Sequence, residues 1–174
     1  MAKVKANRVA VYVFRKRAGG IEFLQLQRAG NVESYPASWQ TVYGGILKGE
    51  TAVDAALREL HEETGLTPKN FYQVEYLESF YNQQRDRVVL MPVFAAEVVG
   101  NASVQLNEEH DDFRWVALAD VAAHFVWRAQ RQAIEIIQSD IIAGLPSASL
   151  LKIPAHDDSA APSNSRVNKR RSSV

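Results

Sequence analysis

The chain has 174 residues, 47% of them hydrophobic, which is enough for one buried core and asks for no second domain. Twenty basic and twenty acidic residues leave no net charge, which argues against a general electrostatic hold on nucleic acid and for a small substrate met by local charge. With no cysteine, disulfides and thiolate metal sites are excluded; no apolar run reaches the roughly 18 residues of a membrane span and no signal peptide is evident, so a cytoplasmic protein with no membrane partner is expected.

Arg8 to Phe14 is short and β-rich, and Ile21 to Gln27 alternates apolar and polar residues. The two read as strands of a hairpin joined across residues 15–20. Arg28 closes the second strand, where a forked guanidinium suits phosphate oxygens; the plain alternative is a surface arginine. Asn31 to Ser38 carries Pro36 and reads as a loop, and Trp39 to Tyr43 as a short strand that delivers the chain to Gly44. Trp39 and Tyr35 could stack on a heterocyclic base, although a tryptophan at a strand start is ordinarily packing. Phe71 to Tyr81 and Arg87 to Val99 predict two further strands, with Pro92 favouring an edge or a bulge. The acidic stretch Leu106 to Asp112 leads into a last strand, Phe113 to Val116. Leu118 to Phe125 and Val126 to Ala143 read as helices, the second with Ala129, Ala133, Ile136, Ile137 and Ile141 as its buried stripe. Residues 1–153 form the expected domain. Residues 154–174, including Lys169-Arg170-Arg171, are poor in large apolar side chains and are expected to form a disordered tail.

The stretch Gly44 to Leu66, GGILKGETAVDAALRELHEETGL, concentrates the chemistry. Thr51 suits a helix N-cap paired with Asp54, and Gly65 suits the left-handed residue after the last turn, so a helix is predicted over Ala52 to Thr64. Ala52, Ala56 and Leu60, with Val53 and Leu57, fall on a buried stripe, whereas Glu59, Glu62 and Glu63 share the other face. Like charges so spaced each cost a helix roughly 0.2–0.5 kcal/mol, and a divalent cation would reverse that sign. Oxygen-only ligands favour Mg2+ or Mn2+ over zinc, and Mg2+ shares its remaining positions with water and phosphate. A solvated acidic face is the alternative. Two consecutive glycines permit close backbone approach, so the carbonyls around Tyr43 and Gly44 could reach a cation or a phosphate.

Gly44, Glu50, Arg58-Glu59-Leu60, Glu62-Glu63, Gly65 and Leu66 match the Nudix box, G-x5-E-x7-R-E-U-x-E-E-x-G-U with U aliphatic, at every defined position. The chain resembles the Nudix hydrolases in this stretch. Ser38 to Val42, Glu109-His110 followed by Trp115, and Trp127 to Glu135 further resemble the dATP and dihydroneopterin triphosphate pyrophosphatase branch, from which the glycine turn departs at Gly45 and Leu47-Lys48. The resemblance implies an α/β (α+β) fold, an α/β/α sandwich around a mixed sheet. It implies Mg2+, replaceable by Mn2+, held by Glu59, Glu62, Glu63 and Glu109, with Glu109 preferred over Glu108. Glu59, Glu62 and Glu63 would be catalytic, Glu59 as the base; Arg28, Trp39, Tyr43 and Gly44 would contact substrate; Glu50 and Arg58 would hold the box in shape. The implied reaction cleaves a phosphoanhydride of a (deoxy)nucleoside triphosphate or dihydroneopterin triphosphate to the monophosphate and pyrophosphate. The protein would act as a monomer or homodimer. The alternatives are diadenosine polyphosphates, nucleoside diphosphate sugars or capped RNA ends as substrates and, in a different class, a Nudix-fold module that binds a nucleotide without cleaving it.

Overall fold

The computed structural model describes residues 1–32 and 35–154. Its axis is strand β2 (Arg8–Arg17), which follows an N-terminal strand β1 (Lys3–Lys5). The run VAVYVF is apolar at consecutive positions, the pattern of a strand covered on both faces. Val9, Val11 and Val13 enter one core, and Ala10, Tyr12 and Phe14 enter the other. The remaining strands are β3 (Gly20–Arg28), β4 (Trp39–Gln40), β5 (Val42–Gly45), β6 (Asn70–Asn82), β7 (Arg87–Val98), β8 (His110–Ala117) and β9 (Lys152–Ile153). They form a mixed sheet in the order β4-β3-β2-β7-β6-β9, with β8 on β3, β5 on β2 and β1 on β7. The pairs β2–β7 and β1–β7 are parallel and the others antiparallel.

The expected hairpin forms, but β2 and β3 stay together only from Phe14–Phe23 to Arg17–Gly20. Beyond Phe14 their facing edges part, and residues 39–45 fill the gap: β4 pairs with Leu26 and Gln27 of β3, and β5 with Arg8 to Val11 of β2. The single strand expected over Trp39 to Tyr43 is therefore two, broken at Thr41, whose hydroxyl donates to the Val11 carbonyl. This wedge carries Gly44 and Gly45 to the helix α1.

Pro92 sits opposite a bulge, as expected. Val74 pairs with Val93 and Leu77 with Pro92, leaving Glu75 and Tyr76 of β6 outside the register. On the other edge of β7, the β1 pairing ends at Val89 and the β2 pairing begins at Val93. The missing N–H of the proline thus falls where no neighbour needs it.

Helix α1 spans Ala52–Thr64, with the Thr51–Asp54 capping box and Gly65 at φ 67°. Its buried row differs from expectation. Ala55, Ala56, Leu60, Glu63 and Thr64 are buried, while Ala52, Val53 and Leu57 are half-buried at the flank of the same core. Glu63 continues the Ala56–Leu60 row one turn on and points inward, so the three box glutamates do not share a solvent face.

The other face is covered from the C-terminal side. A 3-10 turn over Leu118–Asp120 leads into α2 (Val121–His124), and α3 (Arg128–Ile136) continues as a π turn, Ile137–Ile142. Val126 and Trp127 lie outside the helix that was expected to include them, and Gln130 and Ile134 are buried where Ala129 and Ile136 were expected to be. The expected last strand is not the last: α4 (Ser147–Leu151) is followed by β9, which pairs with Phe71 and Tyr72 at the sheet edge. Of the tail predicted over residues 154–174, residues 155–174 with the basic cluster lie outside the described residues. Among the described residues no helix is long and apolar enough to cross a membrane.

Candidate metal and phosphate site

The site begins with a glycine that tolerates no side chain. A Cβ on Gly44 would lie 1.9 Å from Cγ and 2.2 Å from Cδ of Glu59. Glu59 thus packs onto bare backbone, and its Oε1 accepts the Gly45 N–H at 3.0 Å and meets Arg58 Nη1 at 2.9 Å. Arg58 is the clamp of the turn. Its Nε and Nη2 donate to the two oxygens of Glu50 at 2.8 and 3.1 Å, Nη2 also reaches the Gly45 carbonyl at 2.8 Å, and Nη1 reaches Glu62 at 2.9 Å. Glu50 accepts the Leu47 N–H as well, at 2.9 Å. These contacts hold the Arg58 guanidinium above its ordinary pKa, and hydrogen bonding to it keeps the Glu50 carboxyl below its own. Glu50 and Arg58 form an ion pair, and Arg58 also pairs with Glu59 and Glu62, two of the three acids expected to repel one another.

Glu63 is the exception. It is 3% exposed, and its Oε2 has no hydrogen-bond partner among the described residues. Burial pushes its pKa well up, the charges of Glu59 and Glu109 add to the rise, and Arg28 and Arg8 oppose it. Nε2 of His110, at the start of β8, lies 3.8 Å away and also has no hydrogen-bond partner among the described residues. Burial, then the charge of Arg28, lowers the His110 pKa to about 4, so the ring is neutral near pH 7 and the contact is no ion pair. Asn107 Oδ1 accepts the Glu109 N–H at 3.1 Å and lies 3.2 Å from His110 Nδ1. Nδ1 therefore carries the imidazole proton, and Nε2 turns a lone pair toward Glu63. Two acceptors face each other in a dry place, and an unsatisfied group of this kind costs roughly 1–3 kcal/mol.

A register shift in β3 brings these elements together. Arg28 pairs with His110 past an irregularity at Gln27, and the Ala29 N–H donates to the Glu109 carbonyl at 2.8 Å. Arg28, exposed Glu109, Glu63, Glu59 and Gly44 thus lie around one end of the sheet. Arg8, opposite Gly45 in the β2–β5 pair, joins them and was not singled out from the sequence; neither was His110 as the neighbour of Glu63. No local signal marks either residue, because only strand register places them there.

Trp39 and Tyr43 lie elsewhere. The side chains on the Gln27 and Ala10 sides of their pairs face α3, away from α1. Arg114 covers the Trp39 ring at 4.0 Å, and the Tyr43 hydroxyl donates to Glu78 at 2.8 Å and accepts from Gln130 at 3.1 Å. Among the described residues no three His, Asp or Glu side chains converge as a ready cage. What fits a hard cation is the chemistry: an oxygen donor set and a buried carboxylate oxygen with no hydrogen-bond partner among the described residues.

Residues 5–136 match the NUDIX domain model. The chain belongs to the Nudix family. A Nudix hydrolase acts on phosphoanhydrides of nucleotide-like compounds, and the clamp around Gly44 is the Nudix box in three dimensions. The chain is 32% identical over 119 residues to the bis(5'-nucleosyl)-tetraphosphatase [asymmetrical] of Caenorhabditis elegans, covering 67% of this chain and 81% of that one. It is 26% identical over 121 residues to the nucleoside triphosphatase NudI of Escherichia fergusonii, covering 66% and 86%. Among solved structures, the C. elegans Ap4A hydrolase binary complex superposes with a TM-score of 0.64 at 24% identity, over 78% of this chain and 96% of that one. The E. coli dihydroneopterin triphosphate pyrophosphohydrolase gives 0.62 at 22% identity, over 79% and 99%. These two show the shared α+β fold.

Proposed function

We propose that residues 1–153 of this Nudix hydrolase form a Mg2+-dependent unit that cleaves a (deoxy)nucleoside triphosphate or dihydroneopterin triphosphate to the monophosphate and pyrophosphate. The observation that carries the reading is the buried, partnerless oxygen of Glu63, crowded by the charges of Glu59 and Glu109. Glu59, Glu62, Glu63 and Glu109 would hold the ion, which when bound supplies charge neutralisation at phosphate oxygens and acidifies its water. Mn2+ would serve in its place. Glu59, held through Oε1 by Gly45 and Arg58, is the base that takes the proton of the attacking water. Arg28 at the end of β3 faces the phosphate chain, and the Arg58–Glu50 clamp keeps the turn at Gly44 in register with the helix.

A second reading has one observation in its favour: the relative at 32% identity is named for cleaving a dinucleoside tetraphosphate. Diadenosine tetraphosphate would use the same acids and differ only in what lies beyond the cut. Pyrophosphate and phosphate release with Mg2+, measured across dATP, the other dNTPs, dihydroneopterin triphosphate, diadenosine tetraphosphate and ADP-ribose, separates the two. Glu63→Gln is expected to lower kcat by orders of magnitude in a folded protein. Full activity in that variant would sink the metal-site reading, and tight nucleotide binding without turnover by the unaltered protein would point to a binding module.

A further inference from the structure

An outer strand of a sheet invites pairing with another chain unless charge, proline or brevity guards it. In this sheet β4, β5 and β9 are short, β1 carries Lys3 and Lys5, and β8 carries Asp111, Asp112 and Arg114. β6 is different. Among the described residues it pairs with β7 on one side and, on the other, with β9 only at Phe71 and Tyr72, so its outer edge is unpaired from Gln73 to Asn82. The end of that edge, Leu77 to Asn82, reads LESFYN, without lysine or proline. Its one charged residue, Glu78, is buried and accepts the hydroxyl protons of Tyr12 and Tyr43, so it does not guard the edge. Leu77 is 57%, Phe80 43% and Tyr81 56% exposed. The chain past β9 leads elsewhere: Lys152 lies opposite Tyr72 and Ile153 opposite Phe71, so it heads toward Asn70 and away from the free stretch.

The pattern of this edge is complementary to itself. Leu77, Ser79 and Tyr81 share one face of the sheet by alternation, beyond the irregularity at Glu75 and Tyr76. A second copy laid antiparallel, with Ser79 opposite Ser79, sets Leu77 of each copy opposite the partner's Tyr81. Two aliphatic–aromatic cross-strand pairs then flank a two-fold axis, and the backbone groups of each edge find partners in the other. The same placement matches charge. Glu75, exposed at one end of the free stretch, comes to the partner's turn at residues 83–86, which carries Arg85. A parallel arrangement would set Glu75 beside Glu75 and lose both the charge match and the Leu77–Tyr81 pairs.

We propose that the free edge of β6 is a homodimer interface, in which two copies pair antiparallel through Leu77 to Tyr81 and join their sheets across a two-fold axis at Ser79. None of these residues belongs to the metal and phosphate site, so the inference does not depend on which phosphoanhydride is cut. Sedimentation equilibrium of the full chain is expected to give twice the chain mass. Leu77→Lys alters two contacts in each dimer and raises the dimer dissociation constant by at least about tenfold, with an unchanged far-UV circular dichroism spectrum. A cross-link locates the axis. The chain has no cysteine, so Ser79→Cys supplies its sole thiol, and directly opposed residues of an antiparallel pair have Cα atoms roughly 4.5–5.5 Å apart, within reach of a disulfide. Oxidation with copper phenanthroline converts most of Ser79→Cys to a covalent dimer on a non-reducing gel, whereas Asn101→Cys, exposed in the turn beyond the far end of β7, remains a single chain. This keeps the test decisive if Leu77→Lys does not fold. A monomer at every concentration of the unaltered chain, a folded Leu77→Lys that associates as tightly as the unaltered chain, or equal cross-linking at the two cysteine positions overturns the assignment.

Discussion

Replacing Glu63 with glutamine is expected to stabilise the metal-free protein while disabling it. With Glu63 ionised, its Oε2 and His110 Nε2 are facing acceptors 3.8 Å apart, both buried and both without a hydrogen-bond partner among the described residues, so the folded protein must keep a proton on Glu63 to relieve them. A glutamine amide of the same shape donates an N–H to the imidazole lone pair and carries no charge to desolvate. Relieving an unsatisfied buried group is worth roughly 1–3 kcal/mol, and at this chain length each kcal/mol moves Tm by about 2–4 °C. The sign with pH follows from the raised folded-state pKa of Glu63. Below the unfolded-state value both states hold the proton and the charge imposes no penalty. As pH rises above it the unfolded chain ionises while the folded chain resists, so the unaltered protein loses stability relative to Glu63→Gln. Differential scanning calorimetry in EDTA at pH 4 and pH 7 reads this directly: Tm of Glu63→Gln exceeds that of the unaltered protein at pH 7, and the gap narrows at pH 4. Added Mg2+ should then raise Tm of the unaltered protein more than that of the variant. A lower Tm for Glu63→Gln at pH 7 would refute the buried-acceptor argument.

Gly44→Ala places a methyl group inside the Glu59 side chain, so Glu59 must leave the Gly45 N–H; kcat is expected to fall by at least about tenfold, the equivalent of one 1.4 kcal/mol hydrogen bond, as steady-state kinetics would show. Trp39→Ala removes a ring already covered on one side by Arg114; if its other face stacks on the heterocycle, KM rises in proportion to roughly 1–3 kcal/mol of lost stacking, and an unchanged KM returns Trp39 to packing alone. Leu60→Ala empties the fully buried centre of the α1 face and should cost about 2–5 kcal/mol in urea-denaturation measurements; a cost below about 1 kcal/mol would contradict the tight packing of that face.

The limits of α1, its capping box, its left-handed terminator, the hairpin strands and the bulge at Pro92 were all legible in the sequence, because each is set by residues within a few positions of one another. The box spacing carried the family and the identity of the acids. It did not carry their environment. Glu59, Glu62 and Glu63 read as one acidic face, yet one is clamped by Arg58, one is exposed, and one is turned into the core beside His110. Trp39 to Tyr43 read as one strand leading to the glutamates, yet residues 39–45 form a two-part wedge that sends the Trp39 and Tyr43 side chains to the opposite face.

Short closing elements such as β9, and the inward turn of Gln130, were likewise beyond a local pattern. The sequence by itself determined the family and the helix that presents most of the box acids. Only the tertiary structure decided which of them are dry and which are neutralised, since register between distant strands and burial between layers are long-range properties that no window of sequence contains.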